Sequence, residues 1–227
     1  MVPILRIVAG QYGGRWIQAP TGSKTRPTSE MVRESLFNII RNEIPGKTFL
    51  DLFSGSGAIG TEALSRGAKM VVFAEWDRDC CALIRKNLMA LGVEKERWQV
   101  VKVNIMRQLR QSAEKKSNAQ WMPEKNAYDI VFADPPYDLD GLCDLPKLIS
   151  AGAFLTENGI FILEHNRATI LPNQVENLVV SREKEYRGTQ MTYYCRSGKG
   201  VGAVAAESTE ESESAEAAEL GPDSEQE

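Results

Sequence analysis

Between residues 48 and 196 the chain alternates short, almost wholly apolar runs with helical patterns, and this rhythm restricts it to an α/β fold on a mainly parallel sheet. The runs are TFLDLF (48–53), MVVFAE (70–75), WQVVKV (98–103), YDIVFAD (128–134) and GIFILEH (159–165). They lack the polar alternation of half-exposed strands, so they are expected to be covered on both faces. Ile59, Ala63 and Leu64 mark a first helix, ended by Gly67. Cys81, Ile84, Leu88 and Leu91 share one face of a second, which Asp77 caps and Gly92 ends, and a third begins near Met106. Two late runs, NLVVSREKEY and QMTYYCR, are expected to close the sheet as an antiparallel pair.

Around this core the sequence predicts a leader over residues 1–47, a main domain over 48–199 and a disordered acidic tail over 200–227. The first 29 residues contain Arg6, Arg15, Lys24 and Arg26 and no acid; Val32, Leu36, Ile39 and Ile40 then fall on one helical face that should pack on the sheet. Residues 112–127 are polar and read as a surface insertion. The tail holds nine of the chain's 31 acids, none of its 27 bases and no aromatic residue. The net charge of -4 therefore hides a body of about +5, compatible with a polyanionic partner. Cysteines at 80, 81, 143 and 195 have no CxxC spacing and His165 is the sole histidine, so neither a zinc site nor a disulfide framework is expected. With 26% charged residues and no apolar run of membrane-spanning or signal-peptide length, a soluble cytoplasmic protein is expected.

The first apolar run leads into DLFSGSGAIG, where Gly55, Gly57 and Gly60 form a G-x-G-x-x-G between a strand and a helix. Such glycines let the backbone approach a ligand closely. Glu75, ending the next strand, can accept hydrogen bonds from ribose hydroxyls, and Asp51 supplies a further carboxylate. Two ligands fit this pattern. A dinucleotide would set its pyrophosphate on the helix N-terminus, whereas S-adenosylmethionine brings a cationic sulfonium and no phosphate. The acids Asp51, Glu75 and Asp77 suit the second somewhat better, but the loop alone leaves both open.

At the end of the fourth run stands Asp134-Pro135-Pro136-Tyr137. The two prolines remove backbone donors and fix φ, which leaves a rigid set of acceptors. With the Asp134 carboxylate and the Tyr137 ring they suit a planar base bearing an exocyclic NH2. Such an amine is a poor nucleophile, because its lone pair is delocalised into the ring. Asp134 and the Pro135 carbonyl can each accept one N–H and free that lone pair for in-line attack on a methyl sulfonium, while Tyr137 stacks on the base. The proton becomes acidic only after transfer, so no strong general base is required.

Together DLFSGSGAIG and DPPY resemble class I S-adenosylmethionine-dependent methyltransferases of exocyclic amines. The leader segments RIVAGQYGGRWIQAP (6–20) and TRPTSEMVRESLFNII (25–40) resemble the start of the RsmD family, bacterial 16S rRNA guanine-N2 methyltransferases. The likeness continues through LSRGA (64–68), VVFAEWDRD (71–79) and YRGTQMTYY (186–194). It implies a Rossmann-like, seven-stranded mixed sheet of order 3-2-1-4-5-7-6, strand 7 antiparallel, with helices on both faces. It implies that Asp51, Phe53, Ser54, Gly55, Ser56 and Gly57 cradle the methionine part of S-adenosylmethionine and that Glu75 holds its ribose. Asn104 and Ile105 would flank the adenine, Trp76 would either stack on it or pack, and Asp134, Pro135, Pro136 and Tyr137 would hold the guanine. The implied partner is 16S rRNA in a 30S subunit or assembly intermediate; a monomer is the expectation, with the oligomeric state left open. The chain departs from the family in two places. Asn104 stands where an acid is common, and Tyr186-Arg187-Gly188-Thr189 stands where Tyr-Gly, an acid and Thr are usual.

Three other readings compete. An adenine-N6 DNA methyltransferase uses the same DPPY logic but usually adds a target-recognition region, for which little chain remains. A NAD(P)-dependent oxidoreductase explains the glycines and Glu75 yet leaves DPPY idle. A non-catalytic RNA-binding module is favoured only by the basic leader. Within that leader Arg6, Arg15, Lys24 and Arg26, interleaved with Tyr12 and Trp16, are the expected rRNA-docking residues, against the plainer alternative of a solvated β ribbon.

Overall fold

The computed structural model describes residues 3–21, 29–114 and 128–196. Lys24, Arg26, most of the 112–127 insertion and the acidic tail lie outside the described residues.

The leader opens with a two-stranded antiparallel ribbon, β1 (Ile4–Arg6) and β2 (Trp16–Gln18). Helix α1 (Glu30–Ile39) follows, its N-terminus closed by the Ser29 hydroxyl accepting from the Val32 N–H. A 3₁₀ turn over Arg41–Glu43 then leads into the core. The core elements are β3 (Thr48–Leu52), α2 (Ala58–Ser65), β4 (Met70–Glu75), α3 (Arg78–Leu91), β5 (Trp98–Lys102), α4 (Ile105–Ala113) and β6 (Tyr128–Ala133). The chain then runs through α5 (Leu145–Ala151), β7 (Leu155–His165), β8 (Gln174–Val175), β9 (Leu178–Tyr186) and β10 (Thr189–Arg196). Ser112 and Ala113, which the sequence reading assigned to the insertion, complete the last turn of α4.

The main sheet has the order β5-β4-β3-β6-β7-β10-β9-β8. In core-strand numbering this is 3-2-1-4-5-7-6, with the two-residue β8 added at the outer edge. Strands β5, β4, β3, β6 and β7 are mutually parallel, and β10 is inserted antiparallel between β7 and β9. The Rossmann-like fold is therefore the one expected, and the difference in strand number is confined to a marginal edge pair.

Period-two alternation in each strand divides the core between two faces. Phe49, Phe73, Ile130 and Phe132 face α1, α2 and α3, whereas Leu50, Val72, Val131 and Ala133 face α4 and α5. Ile7, Tyr12 and Ile17 of the leader join the first of these cores. Buried Glu62 of α2 accepts the N–H groups of Val8 and Ala9 at 2.7 and 3.0 Å, and Ser65 Oγ accepts that of Tyr12 at 2.9 Å. The leader is thus bound to the helix that follows the glycine loop, an attachment that hydrophobic periodicity cannot report.

Candidate active site

Asp51, Glu75 and Asp134 stand at the carboxyl ends of three adjacent parallel strands. The register pairs Leu52 of β3 with Ala74 of β4 and with Ala133 of β6, so the next residues, Phe53, Glu75 and Asp134, stand at one level. This is the edge at which open α/β sheets take ligands.

The chain turns off β3 at Phe53, a non-glycine residue with φ 59°. Such left-handed backbone is disfavoured for a residue with a Cβ and is held here by surrounding bonds. The Ser54 hydroxyl donates to the Asp51 carbonyl at 2.7 Å, and Glu75 Oε2 accepts the Gly55 N–H at 2.7 Å. Gly57 then opens α2 in the left-handed region, φ 75°. The three glycines differ in purpose. A Cβ on Gly60 would lie 2.3 Å from the Phe73 ring and one on Gly57 2.8 Å from Ile84, so both are required by packing. A Cβ on Gly55 would meet only the Phe53 carbonyl, at 3.9 Å, so this glycine faces open space. Ser56 lies between them, half-buried.

Asp51 lies on the α2 side of the sheet, fully buried, and its Oδ2 accepts the Gly60 N–H at 3.0 Å. Burial lifts its carboxyl to about 8; Asp134 and Glu75 push in the same direction, and the Gly60 N–H opposes them. A cation placed among these three groups would favour the ionised form.

Glu75 Oε1 accepts the Asp77 N–H at 2.8 Å, so both carboxylate oxygens organise backbone. Asp77 itself caps α3 through the Cys80 N–H at 2.8 Å, which accounts for it structurally. Trp76 is 63% exposed beside the end of β5, where exposed Asn104 caps α4 by accepting the Arg107 N–H at 3.0 Å; Ile105 is buried beneath. Trp76 and the Asn104–Ile105 pair therefore follow the ends of the adjacent strands β4 and β5.

Asp134 is half-buried and Pro135 buried, while Pro136 and Tyr137 are exposed, the tyrosine by 58%. The Leu139 N–H donates to the Pro136 carbonyl at 2.9 Å, closing the turn that presents the motif.

Of the leader bases, Arg15 donates to the Leu91 and Ala90 carbonyls, at 2.8 and 2.9 Å, closing the C-terminus of α3. Arg6 is half-exposed and lies 3.8 Å from Glu30. The buried ring of His165 spans the Thr192 hydroxyl at 2.8 Å and the Asn166 carbonyl at 2.9 Å, a structural placement that lowers its pKa through desolvation. Among the described residues no cluster of His, Cys, Asp and Glu is arranged to hold a metal, and no helix is long and apolar enough to cross a membrane.

The family model described as conserved hypothetical protein 95 matches residues 5–195. The chain belongs to this family, the RsmD family. Ribosomal RNA small subunit methyltransferase D of Escherichia coli K12 is 33% identical over 196 residues, 86% of this chain and 92% of that protein. Its Haemophilus influenzae namesake is 32% identical over 182 residues, 79% and 88% of the two chains. The solved structure of the E. coli protein yhhF superposes with a TM-score of 0.70 at 32% identity, covering 86% of this chain and 98% of that one. The RsmD match thus includes both the leader and the glycine and DPPY loops.

Proposed function

We propose that this RsmD-family protein transfers the methyl group of S-adenosylmethionine to rRNA, and that the acceptor is the exocyclic N2 of a guanine in 16S rRNA carried by a 30S particle. The observation that supports this most is the adjacency of the Gly55 loop and the Asp134-Pro135-Pro136-Tyr137 turn on neighbouring strand ends.

Asp51, Phe53, Ser54, Gly55, Ser56 and Gly57 would hold the methionine part of the cofactor, Glu75 the ribose, and Trp76, Asn104 and Ile105 the adenine. The site fits the group: three carboxylates converge where its cationic end would lie, and Gly55 leaves room for close approach. When bound, the cofactor supplies an electrophilic methyl on sulfur. Asp134 and the Pro135 carbonyl accept the two amine hydrogens and orient the nitrogen lone pair, and Tyr137 stacks on the ring. The proton leaves after the C–N bond has formed, so Asp134 acts by positioning rather than as a strong base. In the leader, Arg6, Lys24 and Arg26 serve as RNA contacts, while Arg15, engaged by α3, positions the ribbon.

The test is transfer of labelled methyl from S-adenosylmethionine to 30S particles lacking the modification, followed by nucleoside mass spectrometry. N2-methylguanosine is expected. Label in N6-methyladenine of duplex DNA, with none in 30S particles, would overturn the reading.

A further inference from the structure

The β9–β10 turn lies at the same carboxyl edge as the DPPY motif. Gln190 of β10 pairs with His165 at the end of β7, whose Leu163 pairs in register with Ala133 of β6. Two strand spacings, about 10 Å, separate β10 from β6, the span of about three stacked nucleotides. In the turn, Tyr186 pairs with Thr189, and Gly188 takes φ 88°, so Arg187 stands at its corner.

This turn forms one wall of an open cavity of about 520 Å³ lined, among the described residues, by Arg187 and by Ser29, Met31 and Val32 at the start of α1. The volume lies within the range of sites that hold a nucleotide-sized group. Its walls are tied together, because the Tyr186 hydroxyl donates to Ser35 Oγ of α1 at 2.9 Å. Val32 and Tyr186 belong to the core face that also carries Asp51, so the cavity opens on the cofactor side of the sheet.

Arg187 is exposed and makes no ion pair with another described residue. Arg167, in contrast, is bound to Glu185 at 2.9 Å. The one acid in the first turn of α1, Glu30, faces Arg6 at 3.8 Å. A cavity lined by a guanidinium that makes no ion pair with another described residue, and level with the acceptor motif, suits a phosphodiester strand.

Resting on the function proposed above, we infer that Arg187 contacts a phosphate of the RNA strand flanking the target base and that this strand runs through the cavity between α1 and the β9–β10 turn. The step is binding only; Arg187 positions the RNA strand through its backbone and takes no part in the methyl transfer.

The full-length protein and its variants are tested by filter binding to 30S particles lacking the modification, across a potassium chloride series. Arg187→Ala should weaken binding on the order of fivefold at 0.1 M salt and lower the salt-dependence slope by about 0.7 to 1, as expected for one lost phosphate contact. Arg187→Lys should restore the slope, and Arg167→Ala should leave it unchanged. Met31→Glu, at an exposed cavity position, should weaken RNA binding without altering melting temperature or S-adenosylmethionine affinity. If wild type methylates 30S particles while Arg187→Ala and Met31→Glu keep its affinity and slope, the inference is overturned and the function stands. If wild type neither binds nor methylates them, the proposed function falls and this inference with it.

Discussion

The Gly55 backbone N–H donates to Glu75 Oε2 at 2.7 Å, so a carboxylate at the end of β4 fixes the crest of the loop leaving β3. Its other oxygen takes the Asp77 N–H, and one side chain thereby holds the two loops that follow β3 and β4. Glu75→Gln turns an amide NH2 toward one of these donors. The expected result is a loss of about 1.5–3 kcal/mol in S-adenosylmethionine binding, read by titration calorimetry. Unchanged affinity would separate the loop geometry from cofactor binding.

Gly55 and Gly57 should respond oppositely to alanine. Both have positive φ, which costs about 1–2 kcal/mol with a Cβ. At Gly57 the new carbon also presses on Ile84, so Gly57→Ala should lose further stability by overpacking. At Gly55 it projects into open space, so Gly55→Ala should lose more in cofactor affinity than in stability. Thermal melts and calorimetry on the two variants check the contrast.

Asp134→Ala is expected to retain cofactor binding and to lose methyl transfer by about a hundredfold or more, the scale of one preorganised polar contact. Tyr137→Ala, at an exposed position, should leave the melting temperature unchanged and weaken base stacking by about 1–3 kcal/mol. Single-turnover methylation of 30S particles measures both. A wild-type rate in the Asp134 variant would remove the amine-positioning role.

Asp51 gives the apo protein a pH dependence of defined sign. Its folded-state pKa is about 8 against 3.8 for the free group, so the folded state retains a proton that the unfolded chain has released. This contribution to stability is full below about pH 4 and is lost as pH rises toward 8. Asp51→Asn should flatten that slope in thermal denaturation. Cationic groups of S-adenosylmethionine favour ionised Asp51 beside Glu75 and Asp134, so binding at neutral pH should release a proton. Calorimetry in buffers of different ionisation enthalpy detects it, and equal heats would refute the coupling.

Arg15→Ala should lower the melting temperature, since two hydrogen bonds to the end of α3 are worth about 1 kcal/mol at an exposed site. The salt slope of 30S binding should stay at the wild-type value. Arg6→Ala should do the reverse, reducing the slope with little change in stability. A slope loss in the Arg15 variant would return that guanidinium to the RNA surface.

The sequence by itself determined the layered α/β core, because runs such as MVVFAE and YDIVFAD carry their burial in local composition and Asp77 and Gly92 mark helix ends through short-range bonding. It also made the two loops at the sheet edge legible, since glycine spacing and consecutive prolines are local constraints on backbone. The β8 edge pair was invisible, because two residues carry no period. Only the tertiary structure decided which glycine faces open space, for that depends on where Ile84 and Phe73 arrive from other elements. It likewise decided that Arg15, equivalent in sequence to Arg6, spends its donors on the end of α3, and that Arg187 and Val32 border one cavity. Pairings across 75 or 151 residues leave no trace in local pattern, because they are fixed by packing of whole elements rather than by the neighbours of each residue along the chain.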